Sequence, residues 1–293
     1  MPDQAAELRK LMLAAPHESL AGAGSPPRLV VLSGAANGVG TSTLAVNLAV
    51  ALADQGARVV LVDADARRAD IATLCGIAEQ QKSAEEQGVR RDIHEVLMRG
   101  PAGIQVAPGA WAPNARPGSA WGPNAAQGLS EKSQYRLLRQ LKSLGRHAEW
   151  VLLDAGCGAP DVARRFWQAV DDVLMVTTPE PNAVLEAYAA FKTLLVDSVR
   201  PRLRLVVNQA ADGAAAQDVH QRIDQSCRRF LGREVRLAGH LPVDALVADA
   251  ARRQRPVLMA HANSNAAQAV VQLASRLLAE NPDASGREER GVA

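Results

Sequence analysis

The chain has 293 residues, 47% hydrophobic and 22% charged, with a net charge of +2 and only 3% aromatic residues. This length can bury one large α/β core or two smaller ones, built from Val, Leu, Ile and Ala. So balanced a charge is not the clustered excess of a nucleic-acid binder; the scattered Cys75, Cys157 and Cys227, with no CxxC pair, argue against a disulfide framework or zinc site and for a reducing cytoplasm.

In chain order, residues 3–14 place Ala5, Leu8, Leu11 and Met12 on one helical stripe with Asp3 as N-cap, which predicts a short amphipathic helix over residues 1–14. Residues 15–27, with Pro16, Gly22, Gly24, Pro26 and Pro27, read as a flexible linker. A domain over 28–280 follows. Its apolar strand candidates are Leu29–Leu32, Val59–Val62, Ile104–Ala107, Trp150–Leu153, Val173–Thr177, Leu203–Val207 and Val235–Leu241, with helical stretches between most of them. Such alternation of near-continuously apolar strands with helices predicts a three-layer α/β/α fold around a mostly parallel sheet. Residues 108–128 carry four Pro, four Gly, Trp111 and Trp121, and read as a loop insertion. The tail 281–293 has too few apolar residues to pack and reads as disordered. No apolar run reaches the roughly 18 residues of a membrane span, and the N-terminus lacks a signal peptide's basic start and apolar core.

The most informative stretch is Ser33-Gly-Ala-Ala-Asn-Gly-Val-Gly-Thr-Ser-Thr43, between a strand and a helix. Strand, Gly-rich turn and helix N-terminus form an anion site, because orphan N–H groups and the helix dipole aim at one spot. The spacing approaches a phosphate-binding P-loop, G-x-x-x-x-G-K-[ST]. Gly40 takes the last glycine and Ser42 the magnesium-ligand hydroxyl, while Ala35 replaces the first glycine and Thr41 the lysine. Carboxylates end two other strands, Asp63 and Asp65 after Val59–Val62 and Asp154 after Trp150–Leu153. Ligands in open α/β sheets sit at these carboxyl ends, where an acid can hold hydrated Mg²⁺.

The order GVGTST, LVDAD, WVLLDAG, VTTPEP, LVVNQ and GHLP resembles the MinD/ParA branch of deviant Walker-A P-loop ATPases over residues 28–280. The N-terminal Asp3-Gln-Ala-x-x-Leu-Arg9, the run from Trp150 to Lys192, Arg253-Gln-Arg-Pro256 and Asn263-Ser264 resemble its FlhG/FleN branch, regulators of flagellar number. The resemblance implies that Asn37, Gly38, Val39, Gly40, Thr41, Ser42 and Thr43 surround the phosphates of ATP or ADP. Ser42 and Asp154 would serve Mg²⁺, Asp65 would position the attacking water with Asp63 beside it, and Gly156 and Gly158 would form the second switch. Asn208 would face the adenine edge, with Pro242 packed on its ring. It further implies a nucleotide-sandwiching homodimer and a helix whose Asp3, Gln4, Ala5, Leu8 and Arg9 dock on an FlhF-like, signal-recognition-type GTPase.

One departure is decisive. The lysine that reaches the partner's phosphates in working members corresponds to Ala36, so both loop lysines are absent. Charged hydrogen bonds contribute about 1.5–3 kcal/mol each, so their loss removes about 3–6 kcal/mol, roughly 10²–10⁴-fold. The expectation is a degenerate ATPase, with Arg67 and Arg68 on a solvated helix rather than substituting for the lysines. An active, dimerising ATPase of cell division, chromosome or polar positioning is the alternative. The related capsule-type tyrosine kinases end in a tyrosine cluster, whereas only Tyr135 and Tyr188 occur here, and the iron–sulfur scaffold ATPases need a CxxC. The arginine pairs read as solvated helix faces, giving no strong nucleic-acid signal. The last helix, Asn265 to Glu280, reads as packed on the core rather than as a basic membrane anchor, so the protein is expected in the cytoplasm, with transient membrane association open.

Overall fold

The computed structural model describes residues 26–65, 68, 70–80, 93–108, 139–157, 167, 169–194 and 201–280. Its elements are β1 (Arg28–Gly34), α1 (Thr41–Asp54), β2 (Val59–Asp63), α2 (Ile71–Leu74), α3 (Ile93–Val96), β3 (Met98–Arg99), β4 (Gln105–Ala107), β5 (Trp150–Cys157), β6 (Asp172–Thr177), α4 (Pro181–Leu194), β7 (Arg202–Ala210), α5 (Gly213–Leu231), β8 (Arg236–Pro242), α6 (Ala245–Arg252), α7 (Val257–Ala260) and α8 (Asn265–Ala279). The N-terminal helix, nearly all of the linker, the Trp111/Trp121 loop and the tail lie outside the described residues.

One eight-stranded sheet runs in the order β3-β4-β2-β5-β1-β6-β7-β8. Every pair is parallel except the short β3 on β4. All seven expected strands are present, and β3 is an addition. Its two residues carry no period to read, so only pairing with β4 makes them a strand.

The strands are apolar throughout because both faces are covered. Alternate residues Val31, Val62, Leu153, Met175 and Val207 face one layer, where Ala187 and Phe191 of α4 and Val219 and Ile223 of α5 meet them. Val30, Leu32, Leu61, Leu152, Leu174 and Val206 face the other, against α1 and the Val270, Leu273 and Leu277 stripe of α8. α1 is buried almost all round, from Thr41 to Leu52, because it lies between the sheet and α8. That contact explains why α8 is rich in Ala, Val and Leu: its apolar stripe is spent on the core, as its sequence suggests.

At the amino ends of β1, β6 and β7, one fully buried carboxylate gathers three guanidiniums. Asp172 accepts from Arg28 Nε at 2.9 Å, Arg202 Nη2 at 3.0 Å and Arg204 Nε at 2.7 Å. Arg204 also donates to Glu280 at 2.6 Å, and Arg28 stacks on Trp150 at 4.7 Å. This buried network pins the strand starts and leaves the opposite, carboxyl end of the sheet open.

Three of the exposed paired arginines are held by acids close in sequence. Arg228 bonds Asp224 and Glu234, while Arg252 and Arg253 reach Asp249.

Candidate functional site

β1 sits between β5 and β6, and the chain leaves it first toward β2 and later toward β6, β7 and β8. Reversal of direction beside β1 opens a crevice at the carboxyl ends of the strands. The loop 35–40 spans it, anchored where Ala35 N–H donates to Val176 O at 2.8 Å.

Gly40 caps α1 in the left-handed region at φ 89°, which a side chain would resist. A Cβ there would also meet the Asn208 amide nitrogen at 2.5 Å. No acidic residue occupies the first turn of α1, so its N–H groups and the positive end of its dipole face the crevice. The loop and the end of β1 that leads into it are fastened from three sides. Asn208 Nδ2 donates to Val39 O at 2.7 Å, the Cys157 thiol donates to Asn37 Oδ1 at 2.8 Å, and Trp167 Nε1 donates to Ser33 Oγ at 3.1 Å.

The acids are distributed unequally. Asp63 and Asp154 are in-register neighbours on β2 and β5, and both are almost wholly buried. Asp63 is fully engaged with its own loop, accepting from Asp65 N at 3.2 Å and Ile71 N at 3.4 Å. Burial, then the charge of Asp154, pushes its carboxyl well above the usual range. Asp154 Oδ1 accepts from Gly156 N at 3.0 Å, and the Ser42 hydroxyl bonds the same carboxylate. Burial raises its pKa to about 6, against the pull of those two donors. Its second oxygen, Oδ2, is buried with no hydrogen-bond partner among the described residues. A carboxylate that bonds Ser42 and keeps one oxygen orphaned fits a hydrated divalent cation, so Ser42 and Asp154 are the residues that would hold Mg²⁺.

Asp65 points elsewhere. A Cβ on Gly156 would collide with its carboxylate, so the loop after β2 touches the carboxyl end of β5 directly. Gly156 is itself left-handed, at φ 62°.

These parts line a cleft of about 360 Å³ bounded by Ala36, Asn37, Gly38, Gly40, Thr41, Ser42 and Thr43, with Asp65, Arg68, Asp70, Gly156 and Cys157 opposite. The structure thus brings the P-loop residues 36–38 and 40–43, Asp65 and Gly156 to one cleft. Val39 packs in the core beneath the loop. Asn208 braces the loop from behind, with its own Oδ1 on Gln209 N at 2.9 Å. Pro242 lines a separate hollow with Asp212, His240 and Arg276. Gly158 and Arg67 lie outside the described residues, as do Asp3, Gln4, Ala5, Leu8 and Arg9.

One expectation is corrected. Arg68 is not on a helix; it lies in the irregular stretch between β2 and α2 and lines the cleft. Asp63 ends β2, and the described residues before Ile71 (Ala64, Asp65, Arg68 and Asp70) lie outside any helix, with the Ile71 N–H bonding Asp63. Asp70 and Cys157 are cleft residues that sequence alone did not reveal. Their signal was proximity to Asp65 and to the Asp154-Ala-Gly turn.

The ParA family, described as NUBPL iron-transfer P-loop NTPases, matches residues 27–99. The chain is 28% identical over 252 residues to the antiactivator FleN of Pseudomonas aeruginosa, covering 86% of each. It is 30% identical over 255 residues to an iron–sulfur cluster carrier protein of Deinococcus radiodurans, covering 85% of this chain and 68% of that one. The septum site-determining protein MinD of Pyrococcus horikoshii, solved with Mg-ADP, superposes with a TM-score of 0.63 at 18% identity, covering 91% of this chain and all of that one. With its P-loop architecture, its single mostly parallel sheet and these relatives, the chain belongs to the ParA/MinD family of P-loop NTPases.

Proposed function

We propose that this protein is a regulator of flagellar placement or number, built as a nucleotide-binding scaffold with weakened phosphate chemistry. One observation carries it: the cradle is kept while its charge is not. Gly40, the bare α1 N-terminus, Ser42 and the orphaned Asp154 oxygen persist, yet Ala36 and Thr41 occupy both lysine positions. Mg²⁺, when bound beside Ser42 and Asp154, would neutralise part of a diphosphate or triphosphate; the loop N–H groups would hold the rest. Asp65, packed on Gly156, orients the two switch loops against each other. Electrostatic stabilisation dominates phosphoryl transfer, so turnover should fall further than binding.

Likeness to FleN across 86% of both chains supports the flagellar assignment over iron–sulfur transfer. Cys75 and Cys227 are buried in cores on opposite faces of the sheet, and Cys157 lies at the cleft, so no two are placed to share a cluster.

In this proposal residues 1–14 form the docking helix, 15–27 its tether, 28–280 the scaffold and 281–293 a free tail. The helix engages an FlhF-like GTPase of the signal-recognition type, with Gln4 as the polar residue that acts at the partner's site. Homodimerisation and transient membrane contact belong to the same proposal. None of the described helices is long and apolar enough to cross a membrane.

The direct test is to delete the gene and count flagella per cell by electron microscopy. Altered number or position, restored by the native gene and not by Gln4→Ala, supports the proposal. Unchanged flagella refute it. Retention of Asp65 against the second switch loop favours one rival, an active dimerising ATPase; it predicts ATP hydrolysis abolished by Asp65→Ala.

A further inference from the structure

A nucleotide's phosphates bring several negative charges into a cleft whose lysine positions are neutral. The α1 dipole offers only about half a charge in compensation. Thr41 cannot help, since it is buried with its hydroxyl packed against Gly34. Two carboxylates, Asp65 and Asp70, line the same walls and oppose an anion.

Among the described residues that line the cleft, Arg68 is the one cation. It is exposed, on irregular backbone three residues beyond Asp65, and makes no hydrogen bond or ion pair among the described residues. Arg228, Arg252 and Arg253, by contrast, each hold a carboxylate. An arginine fork matches phosphate oxygens two at a time, and its long stem lets it close on a ligand from across the cleft.

We propose that Arg68 is the phosphate-binding cation of this site, replacing the two absent lysines and gripping the diphosphate or triphosphate of a Mg²⁺-bound nucleotide from the β2–α2 loop instead of from the P-loop. This rests on the proposed nucleotide-binding role of the cleft and adds where its charge comes from.

The test is calorimetric titration of the full chain with Mg-ADP and, separately, with Mg-pyrophosphate. Four proteins are compared: native, Arg68→Ala, Arg68→Lys, and Arg68→Ala combined with Thr41→Lys. An exposed charged contact is worth about tenfold in affinity. Arg68→Ala should therefore bind both ligands about tenfold more weakly, Arg68→Lys should recover part of the loss, and Thr41→Lys should recover it from the other wall. A pyrophosphate loss matching the Mg-ADP loss places the contact on the phosphates. Native-like binding by Arg68→Ala would overturn the role of Arg68 while leaving nucleotide binding intact. Absence of binding by the native protein, to either ligand, would overturn both.

Discussion

Replacing Gly156 by alanine tests the contact that joins the two switch loops. The residue sits at φ 62°, where an L side chain costs about 1–2 kcal/mol. The new methyl would also occupy the space of the Asp65 carboxylate, and displacing a packed group costs about 1–3 kcal/mol. Together Gly156→Ala should lower stability by about 2–5 kcal/mol, or about 4–20 °C in melting temperature for a domain of this size. The two causes separate in a double-mutant cycle by urea unfolding. Asp65→Ala removes the obstructing carboxylate but not the backbone strain. The double variant should therefore be at least about 1 kcal/mol more stable than the sum of the single effects. Strict additivity would refute the Asp65–Gly156 contact, and a neutral Gly156→Ala would refute the left-handed backbone as well.

Three further outcomes follow from the same geometry. Asp172→Asn strands three guanidiniums at the strand starts and should cost about 3–5 kcal/mol by urea unfolding, whereas Arg202→Ala, with a side chain 40% exposed, should cost under about 1 kcal/mol. Asp244 caps α6 through Leu246 N at 2.9 Å and also accepts from Ala266 N at 3.1 Å; these backbone donors hold its carboxyl below the usual range. A depressed folded-state pKa gives stability that is present above the unfolded value, about 3.9, and lost as pH falls through the folded value. Asp244→Asn keeps a capping oxygen without titrating, so the native protein's advantage over it should shrink below about pH 4 in acid-unfolding curves. A peptide of residues 1–20 should stimulate an FlhF-like GTPase in a phosphate-release assay and lose that effect with Gln4→Ala; an inert native peptide would sink the docking proposal.

Much of the fold was legible because burial on both faces writes an unambiguous pattern. Val30, Leu32, Leu61, Leu152 and Leu174 face one layer while their neighbours face the other, so each strand reads as a continuous apolar run. α8 was equally readable, since its Ala, Val and Leu residues fill the gap beside α1. β3 was not, because two residues have no period. The site was legible where it depends on backbone, at Gly40, Ser42 and the strand-end acids. It was obscure where side chains choose among neighbours. Nothing in the spacing says that Asp63 satisfies its own loop while Asp65 rests on Gly156, or that Asn208 braces Val39. Arg68 was misplaced for a similar reason. Asp-Ala-Arg-Arg carries good helix formers, but Asp63 accepts from Asp65 N and Ile71 N, and Arg68 itself lies outside any helix.

The central claim is a cradle that keeps its shape and has lost its charge. It is tested most directly by calorimetry with Mg-ADP on the native protein and on Ala36→Lys with Thr41→Lys. The account predicts that the two lysines tighten binding by about 10²-fold or more, since the loop already presents its N–H groups and the Ser42–Asp154 metal corner. Tight binding by the native protein, unchanged when the lysines are restored, would contradict it.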